Sequence, residues 1–234
     1  MTSDPTLRSA RAPRAPRALI FDLDGTLVDS QRDIAAACNV AREAHGQAPL
    51  AFEAILPMIG DGARALIARA FGAAEDEPLV EAALATFKAS YLARPCVHTV
   101  LLPGVREVLD HAAAAKLPCA VVTNKPRDVT MALLDALGMT AEFRTIWGGG
   151  DGPLKPSPAG LLQVLARLDV APAAAWMIGD GPQDVGAGKA AGCFTVGVPG
   201  IAERARLLAS EPDLLCESLN EMREVLSKLT ADRA

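Results

Sequence analysis

The sequence predicts an α/β protein: a doubly wound, mainly parallel sheet interrupted by an inserted all-helical domain. Three observations lead there. Short apolar runs ended by turns recur along the chain, helical patterns lie between them, and the stretch 29–102 breaks the alternation with helical patterns only. Strands buried on both faces read as continuous apolar runs, and alternation with helices is the mark of a parallel sheet covered on both sides.

The first run is ALIFD at 18–22, followed by a glycine-containing turn. Comparable runs are CAVVTN (119–124), RTIWG (144–148), WMIGD (176–180) and FTVGV (194–198). Helical patterns occupy 104–115, 127–138, 157–168, 182–191 and 218–229, with Gly138, Pro172 and Gly192 punctuating their ends. Within 29–102 the patterns run near 31–46, 62–71 and 78–93, separated by Pro49, Pro57 to Gly60, and Gly72. That is too much chain for one crossover between neighbouring strands, so a separate helical cap is expected. The division is therefore a tail over 1–17, a discontinuous α/β core over 18–28 and 103–234, and a cap over 29–102. The tail carries Arg8, Arg11, Arg14 and Arg17 with Pro13 and Pro16 and no apolar anchor, which predicts disorder.

Composition sets the outer bounds. The 234 residues are 50% hydrophobic and 22% charged, an ordinary globular balance that allows one or two domains. A net charge of -5 and only 4% aromatics argue against a nucleic-acid backbone binder or a base-stacking platform. Alanine supplies about a fifth of the chain, well above usual usage, which predicts helices with small-residue faces. Five scattered cysteines without a C-x-x-C pair, and three histidines, make neither a disulfide framework nor a zinc site. No apolar run is long enough to span a bilayer and no secretory signal is visible, so a cytoplasmic location is expected, as monomer or homodimer.

The chemistry concentrates in Asp22-Leu23-Asp24-Gly25-Thr26. A buried strand delivers Asp22 to its C-terminal end, where open α/β sheets bind ligands, and Asp24 follows two residues later. Two such close carboxylates repel unless a cation intervenes; Mg²⁺ relieves the conflict and also neutralises an incoming phosphate.

This segment resembles the first motif, D-x-D-x-T, of the haloacid dehalogenase-like superfamily, and the superfamily's other motifs follow in order. Thr123-Asn124 resembles the second, Lys155 in LKPSP the third, and Gly179-Asp180 with Asp184 the acidic fourth. Gly181 stands where relatives carry a further acid. The resemblance covers about 18–230. It implies a Rossmann-like core and an Mg²⁺-dependent phosphatase working through a phosphoaspartyl intermediate.

Chemical logic assigns matching roles. Asp22 is expected as nucleophile, and Asp24 as general acid and then base. Thr123 and Asn124 are expected to bind substrate, and Lys155 to neutralise the transferring oxygens. The metal shell would hold Asp22, the Asp24 main-chain carbonyl and Asp180, with Asp184 just outside it.

In the cap, Ile59-Gly60-Asp61-Gly62-Ala63-Arg64 through Ile67 is similar to the cap of phosphoglycolate phosphatases, and Arg64 is expected to read a substrate carboxylate. A small phosphorylated metabolite, 2-phosphoglycolate first, is the expected substrate. Asp24 speaks against the dehalogenase branch. A single cap lysine late in the insertion, Lys88, speaks against phosphonoacetaldehyde hydrolases. A β-phosphoglucomutase-like mutase and a silent phosphate-binding protein remain as alternatives.

Overall fold

In the computed structural model, which describes residues 11–200 and 204–231, the chain builds a six-stranded sheet covered by helices on both faces. The strands are β1 (Ala18–Phe21), β4 (Cys119–Pro126), β5 (Thr145–Gly149), β6 (Ala175–Gly179), β7 (Phe194–Gly197) and β8 (Leu214–Leu215). Their order is β5-β4-β1-β6-β7-β8, and every pairing is parallel. A separate two-stranded ribbon joins β2 (Val28–Asp29) to β3 (Val100–Leu101).

Alternation along β1 explains why it is central. Leu19 and Phe21 point to one face, against α5 (Val105–Ala114), α6 (Arg127–Ala136) and α10 (Leu219–Thr230). Ala18 and Ile20 point to the other, against α7 (Ala159–Leu168) and α8 (Pro182–Ala191). All four residues are fully buried, so neither face of β1 tolerates a polar side chain. From β1 the chain builds outward in both directions, which makes its C-terminal end the switch point of the sheet.

The four cap helices, α1 (Gln31–Ala44), α2 (Phe52–Ile55), α3 (Ala63–Phe71) and α4 (Pro78–Ala93), enclose an apolar cluster of their own. Ile34, Leu66, Phe71 and Phe87 fill it, while Ala35, Ala41, Ala68 and Ala83 let the helices approach closely. The high alanine content thus has a packing role here. Val129 of α6 joins the same cluster, so the cap rests on the core.

Among the described residues, five labelled elements escaped the sequence patterns: the two-residue strands β2, β3 and β8, and the short helices α2 and α9 (Arg204–Ala209). Each is too short to show a period. Residues 11–17 also depart from the expected disordered tail. The Arg11 guanidinium donates to the Cys193 carbonyl at 3.0 Å, Trp176 Nε1 donates to the Arg14 carbonyl at 3.2 Å, and the Arg17 N–H donates to the Ala174 carbonyl at 2.7 Å. Polar groups of the tail provide the anchorage that its composition could not advertise; residues 1–10 lie outside the described residues. All five cysteines are free thiols, and burial pushes Cys119 and Cys193 up to about 12. Among the described residues no helix is long and apolar enough to cross a membrane.

The two strands leaving and re-entering the core are tied by one carboxylate. Asp33, in the first turn of α1, accepts the N–H groups of Val97, His98 and Thr99 at 2.9–3.0 Å and the Thr99 hydroxyl at 2.7 Å. Burial alone would raise its pKa, but these donors favour the anion and hold it below the ordinary 3.8. The stabilisation is therefore complete above pH 4 or so and vanishes as pH falls through the lowered folded pKa. Asp33→Asn is expected to cost about 1.5 kcal/mol at pH 7. Thermal unfolding as a function of pH should show the gap to wild type closing below about pH 4.

Candidate active site

The site is assembled at the C-terminal ends of β1, β4 and β6, the three adjacent strands at the centre of the sheet. Asp22 follows β1 directly, and its N–H donates to the Ile178 carbonyl of β6 at 2.9 Å. Leu23 then turns into the core, fully buried, while its carbonyl receives the N–H groups of Thr26, Leu27 and Val28. This tight loop presents Asp22 and Asp24 to the same cavity. Gly25 adopts a φ of 85°, and a Cβ there would lie 2.2 Å from Asp180 Oδ2. Both the backbone conformation and the space require glycine.

Asp180 follows β6, and Asp184 stands one turn into α8. One carboxylate oxygen from each of Asp22, Asp180 and Asp184 lies within 4.8 Å of the others. Lys155 Nζ enters between them, 2.7 Å from Asp22 Oδ1 and 2.6 Å from Asp184 Oδ1. The other Asp184 oxygen accepts the Gly181 N–H at 3.0 Å. Burial pushes Asp22 up to about 6; Lys155 draws it back while Asp184 and Asp24 add repulsion. Asp180 is raised well above its ordinary value by burial and by Asp184 and Asp22. Lys155 shows the reverse balance: burial works against its charge, but Asp184 and Asp22 outweigh that and hold the ammonium protonated. One lysine does not balance three carboxylates, and clustered hard oxygen donors are the set that suits a small divalent cation.

Thr123 and Asn124 come from the β4 tip, and both are buried. Thr123 lines the cavity, its Oγ1 accepting the Lys125 N–H at 3.2 Å. Asn124, expected on the substrate, lines the cavity too, with its amide held by neighbouring backbone groups. Its Oδ1 accepts the Lys155 N–H at 2.8 Å, and its Nδ2 donates to the Lys155 carbonyl and to the Gly60 carbonyl of the cap, each at 3.1 Å. The side chain thus brackets Lys155 and ties the 59–62 loop to the core.

Arg64 is not brought to the cavity. It donates to the Glu75 carbonyl at 2.9 Å and pairs with Glu81. On α3 it is Ala63 and Leu66, one face at i and i+3, that meet the cavity, and Arg64 is rotated away from them. Lys88 also turns elsewhere, pairing with Asp128 at 2.7 Å.

Lys125 is the residue that the motifs did not point to. Its Nζ lies 3.0 and 3.2 Å from the two oxygens of Asp24 and 4.4 Å from the centre of the Tyr91 ring of α4. Burial opposes its charge, but Asp24 and Tyr91 raise its pKa overall. The Ser30 hydroxyl also donates to Asp24. Adjacency to Thr123-Asn124 at a strand tip was the one signal available, since a lysine on its own reads as solvated surface. Gln183 completes the second tie to the cap by donating to Asp61, which also pairs with Arg69.

The cavity above these groups has a volume of ≈ 410 Å³. Its walls come from the strand tips on one side and from cap residues such as Ile34, Leu56 and Phe87 on the other, with Arg206 of α9 also contributing.

Comparison with known proteins agrees with this geometry. The family model of haloacid dehalogenase-like hydrolases matches residues 19–198. A phosphoglycolate phosphatase of Chromobacterium violaceum is 38% identical over 216 residues, 90% of this chain and 96% of that protein. A phosphoglycolate phosphatase of Pseudomonas putida is 38% identical over 214 residues, 88% of this chain and 78% of that protein. The crystal structure of a predicted phosphoglycolate phosphatase from Haemophilus somnus superposes with a TM-score of 0.83 at 28% identity, covering 92% of this chain and 99% of that one. With the matched span running from β1 through β7, this chain belongs to the haloacid dehalogenase-like hydrolase family.

Proposed function

We propose that the protein hydrolyses 2-phosphoglycolate through a phosphoaspartyl intermediate on Asp22, with Mg²⁺ as cofactor. The observation that carries the reaction is the placement of Asp22 at the switch point, beside Lys155 and two residues before a second carboxylate. The substrate rests on the activity named for the relatives that align along most of this chain.

In the first displacement an Asp22 oxygen attacks phosphorus, and the ester oxygen leaves with a proton supplied by Asp24. In the second, Asp24 takes a proton from water, whose oxygen attacks the phosphoaspartate to release phosphate and restore the Asp22 carboxylate. Lys125 and Ser30 fix the Asp24 carboxyl for both steps. Thr123 and Lys155 hold the phosphoryl oxygens, and Asp184 orients Lys155 and the Gly181 N–H, both of its oxygens being engaged there. Asp22, Asp180 and the Asp24 main-chain carbonyl would hold Mg²⁺, which supplies charge neutralisation to the incoming phosphate.

A glycolate carboxylate needs a cation beyond the phosphoryl site. Lys125 and Lys155 are paired to Asp24, Asp22 and Asp184, which leaves Arg206 for that task among the described cavity-lining cations. Arg206→Ala is expected to lower kcat/KM for phosphoglycolate about tenfold or more, while turnover of ethyl phosphate falls far less.

Asp22→Asn should lose at least about 10³-fold in kcat with its melting temperature retained, because the amide is no nucleophile. Persistent phosphate release by that variant would remove Asp22 from the role. Saturating Mg²⁺ should raise the melting temperature of the wild-type protein, by the equivalent of about 2.7 kcal/mol at a hundredfold excess over Kd. In Asp180→Asn most of that increment should disappear.

A further inference from the structure

The two walls of the active-site cavity differ in chemistry. Among the described residues, the core wall carries every charged group of the site: Asp22, Asp24, Lys125, Lys155, Asp180, Asp184 and Arg206. On the cap wall, no cavity-lining residue from 30–96 carries a charge. Ile34, Leu56, Ile59, Leu66 and Phe87 give it its apolar character, with Val129 of α6 beside them. Charged cap side chains exist nearby but are held off the cavity: Arg64 by Glu81, Arg69 by Asp61 and Lys88 by Asp128.

Phosphoglycolate offers such a wall a single methylene, and it is small beside a cavity of ≈ 410 Å³. We propose a second activity at this site: hydrolysis of phosphomonoesters whose alcohol is an apolar alkyl or aryl group, lodged against Leu56, Ile59, Leu66 and Phe87. The proposal rests on the phosphatase reading above and extends its substrate class. The bond broken is the same P–O bond to the alcohol. Water supplies the new oxygen on phosphorus, and the alcohol leaves carrying the proton given by Asp24. The phosphate end stays with the charged core wall, so selection among apolar alcohols falls to the cap. Removing apolar surface from water, which grows with each methylene, supplies the preference.

The experiment is a series of n-alkyl monophosphates from ethyl to hexyl, assayed with Mg²⁺ alongside phosphoglycolate. kcat/KM is expected to rise about three- to fourfold per methylene, the equivalent of burying each one, until the cavity is filled. Ile59→Asn, at a half-buried position that the fold should tolerate, is expected to flatten that rise. Rescue of the slope by Ile59→Leu would separate wall chemistry from a general loss of structure. A flat or falling series with phosphoglycolate still hydrolysed would overturn the apolar subsite and leave the phosphatase reading standing. Absence of turnover on every ester, phosphoglycolate included, would instead overturn the phosphatase reading on which the subsite depends. A wild-type slope that Ile59→Asn leaves intact would overturn the assignment to this wall.

Discussion

Four carboxylates crowded at the ends of two adjacent strands are the constraint around which this structure is arranged. Asp22, Asp24, Asp180 and Asp184 repel one another, and burial makes the charge more costly at Asp22 and Asp180. Two buried lysines answer them, Lys155 from the loop between β5 and α7, placed between Asp22 and Asp184, and Lys125 from the β4 tip, on Asp24. The lysines are as dependent on the acids as the acids on them, since an unpaired buried ammonium would lose its proton. Lys155 keeps Asp184 when Asp22 is neutralised, whereas removing a lysine leaves its carboxylates without their buried counter-charge. The remaining excess of negative charge is the physical basis for Mg²⁺ in the proposed mechanism.

The cap is coupled to that charged floor by a few polar ties. Asn124 reaches the Gly60 carbonyl, Gln183 reaches Asp61, and Tyr91 lies against the Lys125 ammonium. Its connection to the core is a two-stranded ribbon tied by Asp33. The cap's apolar helices pack mainly on one another, and Val129 of α6 joins their cluster from the core side. Such an arrangement suits a cover that excludes water from a phosphoenzyme while permitting exchange of substrate and product.

Legibility in the sequence varied with the length of the signal. The strands ALIF, CAVVTN and WMIG were plain because buried parallel strands are apolar throughout. Asp22, Asp24, Thr123, Lys155, Asp180 and Asp184 were found because each follows such a strand or matches a motif in order, and the fold gathers them around one cavity. Arg64 misled because a helix start after glycines reads as an anion site, and only the packing of α3 against α4 turns it to Glu81. Lys125 was overlooked for the opposite reason. Its partners Asp24 and Tyr91 are remote in sequence, and adjacency to Thr123-Asn124 alone does not distinguish it from a surface lysine.

Sequence alone determined the alternating core, the helical insertion and the carboxylate chemistry, because apolar runs and motif spacings are local properties of the chain. Tertiary structure decided which side chains meet: the Lys125–Asp24 pair, the engagement of Asn124 by Lys155, the anchoring of residues 11–17 and the uncharged cap wall. These depend on contacts between segments far apart in the chain. Their energies exist only when the β1, β4 and β6 tips and the cap are brought together.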